Sequence, residues 1–346
     1  MNTLPPVLYQ GSVKNVRGLA NDPSLVFEYS DRYSVFDWGE MPDQITGKGA
    51  ALNLMGYAFF QYLEKQIGLK HHMLGLVGSG VTNTCEVKNV KVVRPEKMGA
   101  TYNYQPYQDR LTNALVPLEV IFRLGLAQGN SLSKRFKSNP DLAKQFGLTS
   151  VPEEGMMLEK PLIDFSTKLE AGDRYVTYSE AKSLSGMSET EFQKLIAKTT
   201  EIALSLKDFH QKMGLELWDG KVEFAFVQGV TQDRDFMLVD SIGIDELRLI
   251  SEGKSLSKEF LREVYKDTQW YNALNASKEE AHATNGDFKE ICKNKYQQIP
   301  PNLSNLNKQK AQDLYQAYCN SVYAQMNLPL PFNPELNVKN YEGKYL

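Results

Sequence analysis

The stretch "KVEFAFVQGVTQDRDFMLVDSIGIDELRL", residues 221–249, predicts two apolar strands joined by a polar turn, yet acids interrupt it. Glu223 lies inside the first predicted strand and Asp240 ends the second. Strands disfavour Asp, and a buried carboxylate is costly unless it is paired or bound to a metal. The hairpin therefore raises the question of what stabilises its two acids.

A symmetric turn would pair position 223 with position 240, so both carboxylates would project from one face. Close carboxylates raise one another's pKa, and a divalent cation removes that repulsion. Mg²⁺ is commonly held by one or two carboxylates together with substrate phosphates. The alternative is a partly exposed hairpin whose acids face water, with Lys221 as a partner.

Composition narrows the class of protein. The chain has 346 residues, 42% hydrophobic and 23% charged, which is ordinary for a globular protein of one large domain or two. A net charge of -3 argues against nucleic acid as a partner. No apolar run reaches the roughly 18 residues of a membrane span, and the first residues lack the pattern of a secretory signal. The three scattered cysteines form no CxxC pair, which favours a reducing, cytoplasmic compartment.

Hydrophobic periodicity predicts a β-rich first part and a helical second part. Predicted strands at 25–30 and 33–39 precede a helix at 47–68. Ser188 and Glu191 form a capping-box pattern at the start of a helix over 188–214. Further helices are predicted at 255–274 and 307–326, before an extended Pro-rich tail. This order indicates an α+β fold of two lobes, with a boundary near residue 113.

Basic residues suggest where a phosphate would bind. The segment "FRLGLAQGNSLSKRF" places Arg123 before a loop that contains Ser131, and Arg248 could complete the site. The alternative is a surface loop that leads into a basic helix. In "IDFSTKLEAGDRY", Lys168 and Asp173 could orient a zwitterion, although that mixture is also common in loops.

The order of these segments resembles the SAICAR synthetase family. The resemblance runs from about residue 8 to residue 275, and its most specific parts are "PLIDFSTK" and "KVEF…LVD…DE.R". The remaining motifs, in chain order, are "GSVK", "SDRYSVFD", "GKG", "VPLEVIFR", "DGKVEF" and "SKEFLREVY".

The resemblance implies a β-rich N-terminal lobe similar to a kinase N-lobe (1–113), a larger C-terminal lobe (114–300), and a C-terminal helix with an extended tail (301–346). An ATP cleft would lie between the lobes. The implied activity is ATP-dependent ligation of the CAIR carboxylate to the amine of L-aspartate, giving SAICAR, ADP and phosphate. ATP and Mg²⁺ are the implied cofactors, and the oligomeric state stays open, with a homo-oligomer as one alternative.

The resemblance also assigns roles to individual residues. The implied catalytic residues are Lys14, Lys168 and Asp240, and the implied metal ligands are Glu223 and Asp240. The implied ATP-binding residues are Gly11, Ser12, Lys14, Val116, Glu119 and Lys221. The implied substrate-binding residues are Asp37, Lys48, Arg123, Ser131, Lys168, Asp173, Asp245 and Arg248.

Four residues depart from the pattern usual in the family: Ser12, Leu124, Asn130 and Ser241. Two alternative functions therefore stay open at the level of sequence. One is another small-molecule phosphotransferase, although H-R-D-x-x-x-x-N and D-F-G are absent. The other is a non-catalytic, nucleotide-binding homologue of the same fold.

Overall fold

Two antiparallel sheets organise the chain. A computed structural model describes residues 4–99, 101–230, 232–284 and 286–346, so the first three residues of the N-terminal segment and Thr231 of the predicted turn lie outside the description. The strands are β1 Val7–Gln10, β2 Lys14–Arg17, β3 Ser24–Tyr29, β4 Met73–Leu76, β5 Thr84–Lys88, β6 Glu96–Met98, β7 Thr101–Asn103, β8 Ala114–Leu115, β9 Leu118–Gly125, β10 Met157–Thr167, β11 Tyr175–Val176, β12 Glu216–Val227, β13 Asp235–Val239, β14 Leu247–Ser251 and β15 Lys254–Ser255. The helices are α1 Lys48–Ile67, α2 Ser131–Ser138, α3 Leu142–Gln145, α4 Tyr178–Ser185, α5 Glu189–Gln211, α6 Glu259–Lys266, α7 Gln269–Thr284, α8 Phe288–Asn294, α9 Asn305–Gln325 and α10 Val338–Tyr345, with a 3-10 helix at Gln105–Asp109.

The first sheet has five strands in the order β1-β2-β3-β5-β4. Helix α1 packs against it, and its bounds confirm the helix predicted at 47–68. The strand predicted at 33–39 is wrong, because these residues form turns in which Phe36 and Asp37 have φ of 55° and 64°. The aromatic pattern there reflects burial instead, since Tyr33 and Trp38 lie in the core.

The second sheet has eight strands and is organised by the long strand β12. Residues 216–222 of β12 pair with β14 and β9, whereas residues 223–227 pair with β13 and β8. Glu223 therefore lies where β12 changes partners. Because β12 pairs with strands in both halves of the sheet, Glu223 lies in the interior of the sheet.

The predicted register of the β12–β13 hairpin is wrong by one residue. Glu223 lies opposite Val239, and Val227 lies opposite Asp235. Strand β13 ends at Val239, and Asp240 follows it with φ 69°. The left-handed backbone at Asp240, rather than cross-strand pairing, aims its carboxylate.

The helical half of the chain agrees in part with prediction. Ser188 accepts a hydrogen bond from the Glu191 N–H and the Glu191 carboxylate accepts one from the Ser188 N–H, which confirms the predicted capping box of α5. The single helix predicted at 255–274 is wrong, since α6 ends at Lys266 and α7 begins at Gln269. The tail is not wholly extended, because α10 forms within it.

The fold is α+β, as predicted. Helix α9 packs against α1 and α10 packs against α9, so the C-terminal segment is part of the folded body. Among the described residues, no helix combines the length and the apolar character needed to cross a membrane. The predicted boundary near residue 113 stays a prediction.

Candidate active site

A first cavity of about 420 Å³ lies between the first sheet and the start of the second. Apolar side chains line it, among them Val16, Leu25, Val87, Leu115, Leu169 and Val239. Charged side chains line it as well: Lys14, Lys88, Arg94, Lys168, Glu223 and Asp240. A molecule with a flat apolar end and a charged end would suit such a lining.

The loop between β1 and β2 contributes a tight turn to this cavity. The Gly11 N–H donates a hydrogen bond to the Lys14 carbonyl oxygen (2.8 Å), and a Cβ at Gly11 would lie 3.0 Å from that oxygen. The predicted nucleotide-binding residues Gly11, Ser12 and Lys14 therefore share one wall. Val116, by contrast, is fully buried, and its N–H donates to the Phe224 carbonyl oxygen, while its neighbour Leu115 lines the cavity.

Lys14 and Asp240 form an ion pair across the cavity. The Lys14 ammonium also lies 4.5 Å from the centroid of the Phe27 ring. Burial would raise the pKa of Asp240, but Lys14 and then Lys168 hold it below its ordinary value. Asp240 is therefore kept ionised by cations that face it.

A chain of alternating charges runs from the first cavity into a second one. Lys168 Nζ lies 2.7 Å from a Glu223 carboxylate oxygen and 3.2 Å from a Glu119 carboxylate oxygen. Lys221 Nζ lies 2.7 Å from that same Glu119 oxygen. Glu223 faces the first cavity, whereas Glu119 and Lys221 face the second. Lys168 therefore bridges the two cavities.

This chain shifts the pKa of each member. Burial, followed by the charge of Asp240, raises the pKa of Glu223. Burial would lower the pKa of Lys168, but Glu223 and then Glu119 raise it well above its ordinary value. Burial would likewise raise the pKa of Glu119, which Lys221 and Lys168 lower. Lys168 accordingly remains a cation between two acids.

The second cavity, of about 210 Å³, contains the predicted phosphate-binding residues. Arg123 is buried on β9, and it donates hydrogen bonds to Ser131 Oγ (3.1 Å) and to Asp164 (3.2 Å). Among the residues that the structure describes, its buried Nε finds no hydrogen-bond partner. Arg248 Nη1 lies 3.4 Å from an Asp219 carboxylate oxygen, in the same cavity. An unpartnered guanidinium nitrogen beside a second arginine suits an anionic ligand.

Asn130, one of the departures from the family pattern, has a defined role. It is the N-cap of α2, and its side chain accepts a hydrogen bond from the Ser133 N–H (2.9 Å). This cap begins the helix at Ser131, whose hydroxyl faces Arg123. Of the other departures, Leu124 is a buried residue of β9, and Ser241 donates a hydrogen bond to Glu246 (3.2 Å).

Of the remaining predicted site residues, some line the second cavity and others do not. Asp173 and Asp245 line the second cavity, and Lys48 Nζ lies 3.1 Å from an Asp245 carboxylate oxygen. Burial, followed by Glu119, raises the pKa of Asp173. Asp37 lies at the surface 2.9 Å from Lys278 and lines neither cavity.

Several residues that line the second cavity were not predicted as site residues. They are Ile121, Tyr175, Asp219, Gly220, Glu246, Leu247, Ser257, Lys258, Glu259 and Arg262, whereas Ser166, which also lines this cavity, belongs to the segment predicted to orient a zwitterion. Asp219 and Arg262 belong to the quoted motifs "DGKVEF" and "SKEFLREVY", so the signal was present but was not assigned to individual positions. Arg135, which lies within the quoted segment "FRLGLAQGNSLSKRF" and is one of its candidate basic residues, donates a hydrogen bond to Asp164 (2.7 Å).

The carboxylates of Glu223 and Asp240 suit a hard divalent cation that shares its ligands with a phosphate. Among the residues described by the structure, no group of three or more His, Cys, Asp or Glu side chains could hold a metal ion. A cation here would therefore take its other ligands from the bound substrate or from water. This donor set fits Mg²⁺ better than Zn²⁺.

Two cavities joined by the Lys168 ion pairs, each lined by both basic and acidic side chains, suit a protein that binds two charged small molecules side by side. Within that class, the chain belongs to the SAICAR synthetase family, whose sequence profile matches residues 7–277. A protein of Archaeoglobus fulgidus, provisionally named a phosphoribosylaminoimidazole-succinocarboxamide synthase, is 39% identical over 327 residues, covering 90% of this chain and 93% of its own. The synthase of the same name from Thermoplasma volcanium is 30% identical over 79% of this chain and 87% of its own.

Solved structures agree on the fold. The SAICAR synthase of Saccharomyces cerevisiae complexed with SAICAR has a TM-score of 0.63 and 17% identity, covering 94% of this chain and 96% of its own. A SAICAR synthetase in complex with ADP has a TM-score of 0.55 and 24% identity, covering 85% of this chain and 99% of its own. At these identities the likeness establishes the architecture.

Proposed function

We propose that the protein is an ATP-dependent ligase of purine biosynthesis that joins the carboxylate of CAIR to the amine of L-aspartate, giving SAICAR, ADP and phosphate. Family membership supports this activity. The observation that carries it in the structure is the position of Lys168, which pairs with Glu223 in the first cavity and with Glu119 in the second. A cation at the junction suits transfer of a phosphoryl group from one cavity to the other.

ATP occupies the first cavity in this proposal. The adenine lies against the apolar lining near Leu115, and the phosphates lie toward Lys14 and the turn that begins at Gly11. Mg²⁺ held by Glu223 and Asp240 would neutralise phosphate charge. Glu119 and Lys221, which line the second cavity, act at the boundary between nucleotide and substrate.

CAIR occupies the second cavity. Arg123, Ser131 and Arg248 bind its 5′-phosphate, since they present two guanidinium groups and a hydroxyl to one space. Asp245 accepts hydrogen bonds from the ribose or base. Lys168 and Asp173 lie on the side at which aspartate would approach, Lys168 as a cation for a carboxylate and Asp173 as an acceptor for the ammonium group.

The proposed reaction has two steps. A carboxylate oxygen of CAIR attacks the γ-phosphorus of ATP, and ADP leaves. The ammonium group of aspartate loses one proton to solvent, and the resulting amine attacks the acyl carbon. Phosphate leaves with the electrons of the C–O bond and takes up the proton that the new amide nitrogen releases. Lys14 and Lys168, which line the first cavity, would stabilise the negative charge that develops during the first step without a covalent role.

ADP release by the purified protein tests the proposal. We expect release with Mg·ATP and CAIR to require L-aspartate, and SAICAR to appear in equal amount. Release with CAIR alone would indicate a phosphotransferase. Binding of ATP and CAIR without any release would indicate a non-catalytic homologue.

Replacing Arg248 tests the phosphate site. Arg248→Ala removes one guanidinium from the second cavity, so the KM for CAIR should rise by about tenfold to a hundredfold while the KM for ATP stays close to that of the wild type. Steady-state kinetics with each substrate varied in turn measures both constants. A raised KM for aspartate with an unchanged KM for CAIR would show that Arg248 belongs to the aspartate site and not to the CAIR site.

Compartment and assembly extend the proposal. The three cysteines are buried free thiols, which supports a reducing, cytoplasmic compartment. A homo-oligomer stays a prediction.

A further inference from the structure

The Asp245 carboxylate is held from two sides by residues that lie far from it in sequence. Tyr315 on α9 donates a hydrogen bond to Asp245 Oδ1 (2.6 Å), and Lys48 Nζ lies 3.1 Å from Asp245 Oδ2. Lys48 and Tyr315 are each 1% exposed. Each Asp245 oxygen therefore has one fixed partner, although the residue itself borders the second cavity.

The Tyr315 hydroxyl comes from outside the region that defines the family. The matched residues end at 277, and α9 begins at Asn305. Two further contacts fix α9 on α1 and the residues before it: Tyr323 donates to the Leu54 carbonyl oxygen (3.2 Å), and Gln316 donates to the Thr46 carbonyl oxygen (3.3 Å). Because Lys48 is the first residue of α1, one docked helix pair supplies both partners of Asp245.

This arrangement orients a hydrogen-bond acceptor. A carboxylate oxygen accepts about two hydrogen bonds, so Asp245 Oδ1 keeps one acceptor position for a ligand after Tyr315 has taken the other. Asp245 Oδ2, which faces Lys48 as an ion pair, keeps acceptor positions as well. Burial would raise the pKa of Asp245, but Lys48, Lys258 and Tyr315 hold it below its ordinary value. An ionised carboxylate of fixed orientation suits a ligand that presents hydroxyl donors, as a ribose does.

We infer that Tyr315 is a positioning residue for the ribonucleotide substrate, acting through Asp245. It holds the carboxylate in the rotamer that accepts hydrogen bonds from the ligand. The C-terminal segment thereby completes the second cavity without lining it. This inference rests on the proposed function for the identity of the ribonucleotide.

Tyr315→Phe tests the inference, because it removes the hydroxyl and keeps the ring in the core. We expect the KM for CAIR and its dissociation constant by calorimetry to rise by about tenfold, the effect of losing one hydrogen bond to a charged group. The kcat and the KM for Mg·ATP should change by less than about twofold, since neither depends on Asp245 in this account. A merely structural role would instead change all these constants together or leave them all unchanged.

Tyr323→Phe is the matched control. It removes a buried hydroxyl from the same helix, α9. This hydroxyl donates a hydrogen bond to the Leu54 carbonyl oxygen of α1 and does not contact Asp245. Its KM for CAIR should equal that of the wild type, and its loss of thermal stability should be comparable with that of Tyr315→Phe. An equal rise in the KM for CAIR in both variants would overturn the inference.

A double-mutant cycle tests whether Tyr315 acts on CAIR binding through Asp245. In an Asp245→Asn background, Tyr315→Phe should weaken CAIR binding by less than about twofold, because the group it positions is already altered. A full tenfold loss in that background would overturn the inference.

Calorimetry separates this inference from the proposed function. If the wild type binds CAIR but releases no ADP with aspartate present, the proposed ligase activity fails, and the ratio of dissociation constants still tests Tyr315. If the wild type does not bind CAIR, both the proposed ligase activity and the inferred role of Tyr315 are refuted.

Discussion

Asp240→Asn should lower turnover by about a thousandfold, because it removes one of the two carboxylates that face the phosphate end of the first cavity. The substitution removes charge and little volume, and an amide oxygen can still accept a hydrogen bond from Lys14. The fold should therefore persist, with a melting temperature within a few degrees of the wild type. ADP release measured across a range of Mg²⁺ concentrations should show that added metal restores little activity.

Asp235→Asn is the matched control for this effect. Asp235 lies at the start of the same strand β13, and Lys70 and Lys194 pair with it (3.1 and 3.0 Å). It lines neither cavity. Its replacement should reduce stability and leave turnover close to that of the wild type. Near-normal turnover in Asp240→Asn would refute the metal assignment.

Lys168→Met should have an effect of comparable size on turnover and a second effect on stability. Without the ammonium group, the Glu223 carboxylate has lost its ion-pair partner and Glu119 keeps only Lys221. Breaking a buried ion pair from one side costs about 3 kcal/mol, so the free energy of unfolding should fall by about that amount. Denaturant titration measures the stability, and single-turnover ADP release measures the chemical step.

Lys168→Arg separates charge from geometry at this position. Arginine keeps the positive charge between the two acids but presents a planar fork in place of a compact ammonium group. Most of the stability should return, whereas turnover should stay low. Full turnover in Lys168→Met would exclude Lys168 from catalysis. Wild-type stability in Lys168→Met would show that Glu223 and Glu119 are tolerated without the ammonium group between them.

Local signals in the sequence predicted local structure well. The capping box at Ser188 and Glu191 depends on contacts three residues apart, so the start of α5 could be read directly. The strand predicted at 33–39 failed for the opposite reason. Its apolar residues are buried by distant partners such as Trp270, which lies 5.4 Å from the Trp38 ring, while its backbone turns at Phe36.

In the active site too, features set by local sequence were predicted and features set by distant contacts were not. Motif resemblance picked out Glu223, Asp240 and Lys168, and these three residues face one cavity. The hairpin register could not be read from the spacing, since a positive φ at Asp240 replaces the expected last strand pair. The helix that carries Tyr315 was predicted, but no signal in the sequence indicated the role of Tyr315, because that role comes from a contact outside the matched region.

The ion pair between Lys14 and Asp240 has a consequence for biosynthesis of the chain. The two residues are 226 positions apart, and Tyr323 and Leu54 are 269 apart. Contacts of such separation require closure of a long loop and form late relative to local helices. A chain emerging from the ribosome has made its whole first sheet before Asp240 exists, and it has made Asp245 before Tyr315 exists. The side of helix α1 that α9 covers in the finished fold must therefore stay soluble, or be shielded by chaperones, until residues 305–325 have been synthesised.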